Sequence, residues 1–275
     1  MLAEPVVAVL EWRYSLSRRV RLGASLLALL AATATTAACG SGQKTTRATA
    51  VNGNVTVFAA ASLTESFNDL QASLKTSDPG LKVTYSFSGS GALVAQVQQG
   101  APADVIATAD LAAMKKLTDA GLVEAPMTFA KNKLEILVAP GNPKGVHTLG
   151  DLARSDLKIV TEDDTVPAGK YAAQILQMAG VTVRPVSREA DVKSAVAKIT
   201  SGEADATIVY VTDVDAAGAK AQGVAIPDAQ NVVAEYPIAI VKTTKNHEAA
   251  VAFVAAVTKS SGQAALYRHG FLPPA

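Results

Sequence analysis

Short β-branched, apolar runs alternate along this chain with longer runs whose apolar residues recur at helical spacing. That alternation is what most limits the fold. Residues 55–59, 82–87, 105–107, 134–139, 158–161, 181–186, 207–211, 232–234 and 238–241 read as strands. Residues 63–76, 92–99, 111–120, 168–179, 191–201, 247–260 and 262–268 read as helices, and Gly121, Gly180 and Gly202 close three of them. Strands alternating with helices imply α/β units with mainly parallel sheets. In such folds ligands bind at the carboxyl ends of strands, where strand order switches. About 220 residues follow residue 53, enough for a substantial core and for two lobes.

Four segments at such strand ends share a chemistry: 57–62 (VFAAAS), 88–93 (SGSGAL), 166–171 (VPAGKY) and 208–210 (IVY). Three stand where a strand or loop gives way to a helix, and the fourth puts Tyr210 at a strand end. They offer hydroxyls and backbone N–H groups rather than a cluster of cations or metal ligands. The first amides of a helix have no intrahelical acceptor and carry about half a positive charge, so several such starts converging would bind an oxyanion. Each segment also has a plainer reading. Ser62-Leu63-Thr64-Glu65 is a capping box in which Ser62 bonds the N3 amide. Ser88-Gly89-Ser90-Gly91 is a flexible turn or an anion nest; it lacks the spacing and lysine of a P-loop. Pro167 suits a first helical turn. Tyr210 reads as a core tyrosine with its hydroxyl at the rim.

Read with 101–104 (APAD), 190–192 (ADV) and 235–241 (EYPIAIV), these segments resemble the molybdate-binding proteins of ABC importers, the ModA family. The motifs follow the family's order and spacing from about residue 55 to 271. The resemblance implies an α/β type II periplasmic-binding-protein fold, two lobes around a ligand cleft, with crossings near 134–139 and 235–241. Lobe one is then 52–136 plus 236–275, and lobe two 137–235. It also implies an oxyanion held by Ser62 and Ser90, by the amides of Ala168 and Val192, and by the Tyr210 hydroxyl. Gly89 and Gly91 stand where many relatives have serine, which leaves open whether Ser88 or Ser90 faces the anion. The implied ligand is molybdate or tungstate, with no cofactor, no bare metal ion and no catalytic residue. The implied partner is an ABC permease, served by a monomer.

The front of the chain bears on location. Residues 22–34 are apolar and follow Arg13, Arg18, Arg19 and Arg21. That is the pattern of a signal peptide over 1–38, too short for a membrane span of about 20 residues. Thr36-Ala37-Ala38-Cys39-Gly40 resembles a bacterial lipobox, with Thr36 departing from the usual aliphatic residue. Lipidation of Cys39 would anchor the protein outside the membrane; cleavage nearby into a soluble secreted form is the alternative. Residues 39–53 are polar and aperiodic and read as a flexible tether.

Composition excludes other classes. The chain has 25 Lys+Arg and 24 Asp+Glu; four Arg and two Glu precede Cys39, leaving 21 against 22. A balance near −1 provides no basic face for nucleic acid. Cys39 is the only cysteine, so no disulfide forms within one chain. An enzyme would need a nucleophile and a base, yet His147, His247 and His269 all lie outside the four segments. Ser90 is not in a nucleophile elbow, and no H-E-x-x-H or C-x-x-C appears. The nearer rival is a binding protein of the same fold for another ligand, such as sulfate, phosphate, iron or a small organic acid.

Overall fold

The computed structural model describes residues 52–274. The signal segment and Cys39 lie outside the described residues, as does the tether up to residue 51. Gly53, read as the tether's last residue, opens the first strand.

The first sheet contains β1 (Gly53–Ala60), β2 (Leu81–Ser88), β3 (Val105–Ala107), β4 (Met127–Asn132) and β10 (Ala234–Ile240), in the order β2-β1-β3-β10-β4. β1 pairs in parallel with β2 and β3 on its two sides. A central parallel strand is covered on both faces, which is why its last half reads as one apolar run. Val57, Phe58, Ala59 and Ala60 are all buried. The second sheet contains β5 (Leu134–Val138), β8 (Ala206–Tyr210) and β9 (Gln222–Ala225), in the order β8-β5-β9. β6 (Val160–Glu162) pairs with β7 (Ser187–Glu189), and a bridge from Ile159 to Ala206 ties that pair to β8. The chain changes sheet at Lys133, just ahead of 134–139. It returns within 226–233, just ahead of 235–241.

The sheets are less parallel than the alternation suggests. β5 pairs antiparallel with β8 and β9, and β10 antiparallel with β3 and β4. The reason is connectivity. β5 follows β4 after one residue, with no helix to carry the chain back, so its direction is set by the crossing. Two other expectations fail for local reasons. Residues 181–186 form no strand, because Pro185 cannot donate to a ladder and pairing begins only at Ser187. The strands expected at 232–234 and 238–241 are replaced by one, β10 (Ala234–Ile240), whose register shifts between Tyr236 and Pro237.

The helices are α1 (Thr64–Ser77), α2 (Ser90–Gln98), α3 (Leu111–Asp119), α4 (Pro167–Met178), α5 (Val192–Thr200), α6 (Val211–Ala217), α7 (His247–Thr258) and α8 (Ser260–Arg268). α1 buries Phe67, Leu70 and Leu74 on one face, the i, i+3, i+7 stripe of an amphipathic helix. Phe67 is the hub of an aromatic cluster, with ring centroids 5.7 Å from Tyr85, 6.0 Å from Phe129 and 5.8 Å from Phe253. It joins α1 to β2, β4 and α7. Phe67→Ala is expected to lower the unfolding free energy by about 3–5 kcal/mol, as emptying a large aromatic site does, read from urea unfolding followed by circular dichroism.

Candidate functional site

Ser62 lies inside a short 3-10 turn, Ala61–Leu63, that leads into α1. The capping box does not form. The N-cap of α1 is Leu63, and no side chain caps either the turn or the helix. The 3-10 turn starts the α-helix one residue later than expected, at Thr64, so Ser62 is not its N-cap. Its Oγ instead lies 2.9 Å from the Tyr236 hydroxyl. Tyr236 in turn packs edge-on against Tyr210, with centroids 5.7 Å apart. The Tyr210 hydroxyl is buried and, among the described residues, has no hydrogen-bond partner within bonding geometry. Burial, and then the Tyr236 and Tyr171 phenols, raise the Tyr210 pKa well above its ordinary value. Tyr210 therefore remains a neutral O–H donor throughout the physiological range.

Ser90 is the first residue of α2, behind Gly89 as N-cap. Its Oγ accepts a hydrogen bond of 3.0 Å from the Ala109 amide, which leaves its own proton free to be donated. Ser90 is buried, whereas Ser88 ends β2 half-buried. The flanking glycines permit close backbone approach. A Cβ on Gly89 would stand 2.6 Å from the Ala190 carbonyl oxygen, and one on Gly91 3.0 Å from that of Thr165. Those carbonyls precede α5 and α4. The start of α2, beside the first sheet, is thus wedged between the two helix starts of the second.

α4 begins with Pro167 after Val166, and no side chain caps it. The Ala168 and Gly169 amides then have no intrahelical acceptor. Gly169 is required here as well, since a Cβ would meet the Asp163 and Glu162 carbonyl oxygens at 2.6 and 2.7 Å. α5 begins with Val192 after Asp191, whose carboxylate takes up the Ser194 amide at 2.9 Å. That cap satisfies N3 and leaves the first amide, Val192, available. Ser62, Ser90, Ala168, Val192 and Tyr210 are each at most 3% exposed. Two contact sets result: Ser62, Tyr236 and Tyr210 lie together, the starts of α2, α4 and α5 lie together, and α5 also touches the 3-10 turn that carries Ser62.

Two lysines lie beside the region, and both are engaged. Lys170 Nζ is 3.1 Å from Asp110 Oδ2, joining α4 to the N-cap of α3. Lys193 Nζ is 2.7 Å from Glu65 Oε2 and 3.0 Å from Asp213 Oδ1, joining α5 to α1 and α6. Burial works against the Lys193 charge, but the Asp213 and Glu65 carboxylates more than reverse this and hold its pKa above the ordinary value. Asp213 is pushed up to about 6 by burial, with Lys193 opposing. Among the described residues no three His, Cys, Asp or Glu side chains group as a metal centre.

Tyr236, Glu162 and the Lys193–Asp213 pair were not singled out from sequence. The one signal for Tyr236 was its place in the 235–241 segment. Nothing local distinguishes Glu162 from the solvated acids that follow it.

Residues 55–272 match the family of bacterial extracellular solute-binding proteins. The molybdate-binding protein ModA of Mycobacterium tuberculosis (strain ATCC 25618 / H37Rv) is 39% identical over 222 residues, 80% of this chain and 85% of that protein. The solved periplasmic molybdate-binding protein of Azotobacter vinelandii superposes with a TM-score of 0.71 at 24% identity, covering 80% of this chain and 100% of that one. The sulfate-binding protein SubI of Mycobacterium tuberculosis superposes with a TM-score of 0.70 at 22% identity, covering 81% and 87%. At those identities the two superpositions show the fold alone.

The close approach at Gly89 carries a consequence. Gly89→Ala is expected to destabilise the described arrangement by about 1–3 kcal/mol, because backbone on both sides has to move. Gly150→Ala, whose Cβ would meet only a side-chain oxygen at 3.5 Å, is the near-neutral control. Thermal unfolding of the two variants side by side checks this.

Proposed function

The chain belongs to the ModA family of bacterial extracellular solute-binding proteins, and from that premise we propose that it captures molybdate outside the membrane and hands it to an ABC importer. One observation supports this most strongly: the starts of α2, α4 and α5 and the 3-10 turn that carries Ser62 lie against one another across the two sheets, and among the described residues the neighbouring Lys170 and Lys193 are both ion-paired. In this reading Tyr236 donates to Ser62 and the Ala109 amide donates to Ser90. Each serine then turns its own proton to the anion. The Tyr210 hydroxyl, without another partner, completes the set with the Ala168 and Val192 amides.

The magnitudes are of the right size. Burying an isolated charge costs tens of kcal/mol by Born estimates. Hydrogen bonds to a charged group contribute roughly 1.5–3 kcal/mol each, and the five donors, with helix termini at roughly 0.3–2 kcal/mol each, offset much of that cost. A shell that only donates also selects protonation state. A bound P–OH finds no acceptor, so hydrogen phosphate is rejected. Sulfate carries no proton and is excluded by size. Tungstate, nearly the size of molybdate, binds comparably.

The donors divide between two lobes, which we place at 52–136 plus 236–275 and at 137–235. Ser62 and Ser90 come from the first, and Ala168, Val192 and Tyr210 from the second. An anion touching both favours the closed form by as much as it binds that form better than the open one. The permease then recognises the closed shape. Residues 1–38 act as a lipoprotein signal, Cys39 carries the lipid, and the tether that follows lets a monomer meet the permease.

Calorimetric titration of the apo-protein with molybdate, tungstate, sulfate and phosphate at equal ionic strength tests the ligand. Molybdate and tungstate are expected to bind tightly, with sulfate weaker by at least about two orders of magnitude, or roughly 2.7 kcal/mol. Equal sulfate affinity would transfer the site to the sulfate reading. Ser62→Ala and Tyr210→Phe are each expected to weaken molybdate binding by about 1.5–3 kcal/mol; unchanged affinity in both would remove these residues from the site. Cys39→Ser is expected to release the protein from membranes on cell fractionation, and continued retention would refute the lipid anchor.

A further inference from the structure

The Glu162 carboxyl is buried beside the proposed anion site and has no role in the donor set. It ends β6, is 1% exposed, and among the described residues neither of its oxygens bonds another residue. β6 packs against α4, α5, β7 and β8. From those elements, and from α6, the groups facing it are acidic or neutral. Glu189 lies opposite it in the β6–β7 register. Asp191 caps α5, Asp213 opens α6, and the Tyr210 phenol ends β8. The three lysines of α4 and α5 are committed elsewhere, Lys170 to Asp110, Lys193 to Glu65 and Asp213, and Lys198 to Glu203. Among the described residues none of them forms an ion pair with Glu162.

We propose that Glu162 is a positioning residue for the oxyanion: held neutral beside the starts of α4 and α5, it keeps that region free of negative charge, and when it ionises it repels the bound dianion. This rests on the oxyanion reading above. The physical basis is the unequal cost of the two forms. A neutral carboxyl without partners costs as much as any unpaired polar group, whereas a carboxylate without partners costs far more. Adding a dianion nearby raises the second cost again. Burial is the main cause that pushes the Glu162 pKa up to about 8; its own backbone amide pulls the other way, and Asp213, Asp191 and Glu189 add to the rise. The proton balance follows. Below that pH the anion enters a protein already protonated at Glu162. Above it, each dianion bound takes up one proton from solvent, so affinity falls toward about tenfold per pH unit. Asp213 titrates below this window, at about 6, and Tyr210 well above it.

The same shift affects folding with a definite sign. The folded protein holds a proton at Glu162 that the unfolded chain has lost, between the ordinary value of 4.5 and about 8. Stability from this group is therefore highest below 4.5 and falls as pH rises across that window.

The test is calorimetric titration of the full protein with molybdate from pH 6.5 to 9.5, in two buffers of different ionisation enthalpy. The wild type is expected to bind with constant affinity up to about pH 7.5 and then progressively more weakly, with uptake of about one proton per anion near pH 9. Glu162→Gln, neutral at every pH, is expected to keep wild-type affinity at pH 7, lose the alkaline fall and take up no proton. Molybdate binding at pH 7 with no alkaline fall and no proton uptake would overturn the Glu162 inference and leave the oxyanion reading intact. The same slope in Glu162→Gln would do likewise. Absence of molybdate binding at every pH would overturn the oxyanion reading and the inference together. Should Glu162→Gln fail to fold, wild-type proton uptake decides alone.

Discussion

A buried hydrogen-bond donor without an acceptor costs about 1–3 kcal/mol, and the proposed site gathers several of them. Among the described residues the Tyr210 hydroxyl is buried without a partner. The starts of α2 and α4 have no side-chain cap, and the cap on α5 leaves its first amide over. The Ser90 oxygen already accepts from the Ala109 amide and so keeps its proton to give, and Ser62 shares a hydrogen bond with the Tyr236 hydroxyl. Everything else holds these groups in place. Gly89, Gly91 and Gly169 remove side chains wherever backbones must nearly touch, and the Lys170 and Lys193 ion pairs neutralise charge that would otherwise compete for the anion.

That arrangement connects binding to shape. The donors are shared between a sheet built around β1 and a sheet built around β5, and the chain passes between the sheets twice. An acceptor that satisfies donors from both sides draws the sides together. The Lys170–Asp110 and Lys193–Glu65 pairs bridge the same gap, joining α4 to the N-cap of α3 and α5 to α1. Only the second is of the partly exposed kind worth about 0–1 kcal/mol.

Much of this was legible in the sequence, and the failures have physical causes. β1, α3 and α5 were found because their apolar periodicity and their closing or capping residues agree. β4 was missed because its buried pair, Phe129 and Ala130, is adjacent rather than alternating. α6 was missed because it follows β8 with no turn residue, so Val211 read as strand. At the site, Ser62 looked like a cap because local pattern shows only local partners, while its actual partner is 174 positions away. Ala168 and Val192 are proposed to contribute backbone groups, which no side-chain pattern announces, and they came from family resemblance alone. Glu162 was invisible for a related reason: a buried acid and an exposed one are the same letter.

A crystal structure of the protein grown with molybdate tests the central claim most directly. The anion is predicted to be hydrogen-bonded by the Ser62, Ser90 and Tyr210 hydroxyls and by the Ala168 and Val192 amides, with no lysine or arginine nitrogen touching it. An anion held by Lys170 or Lys193, or bound away from these five residues, would contradict it.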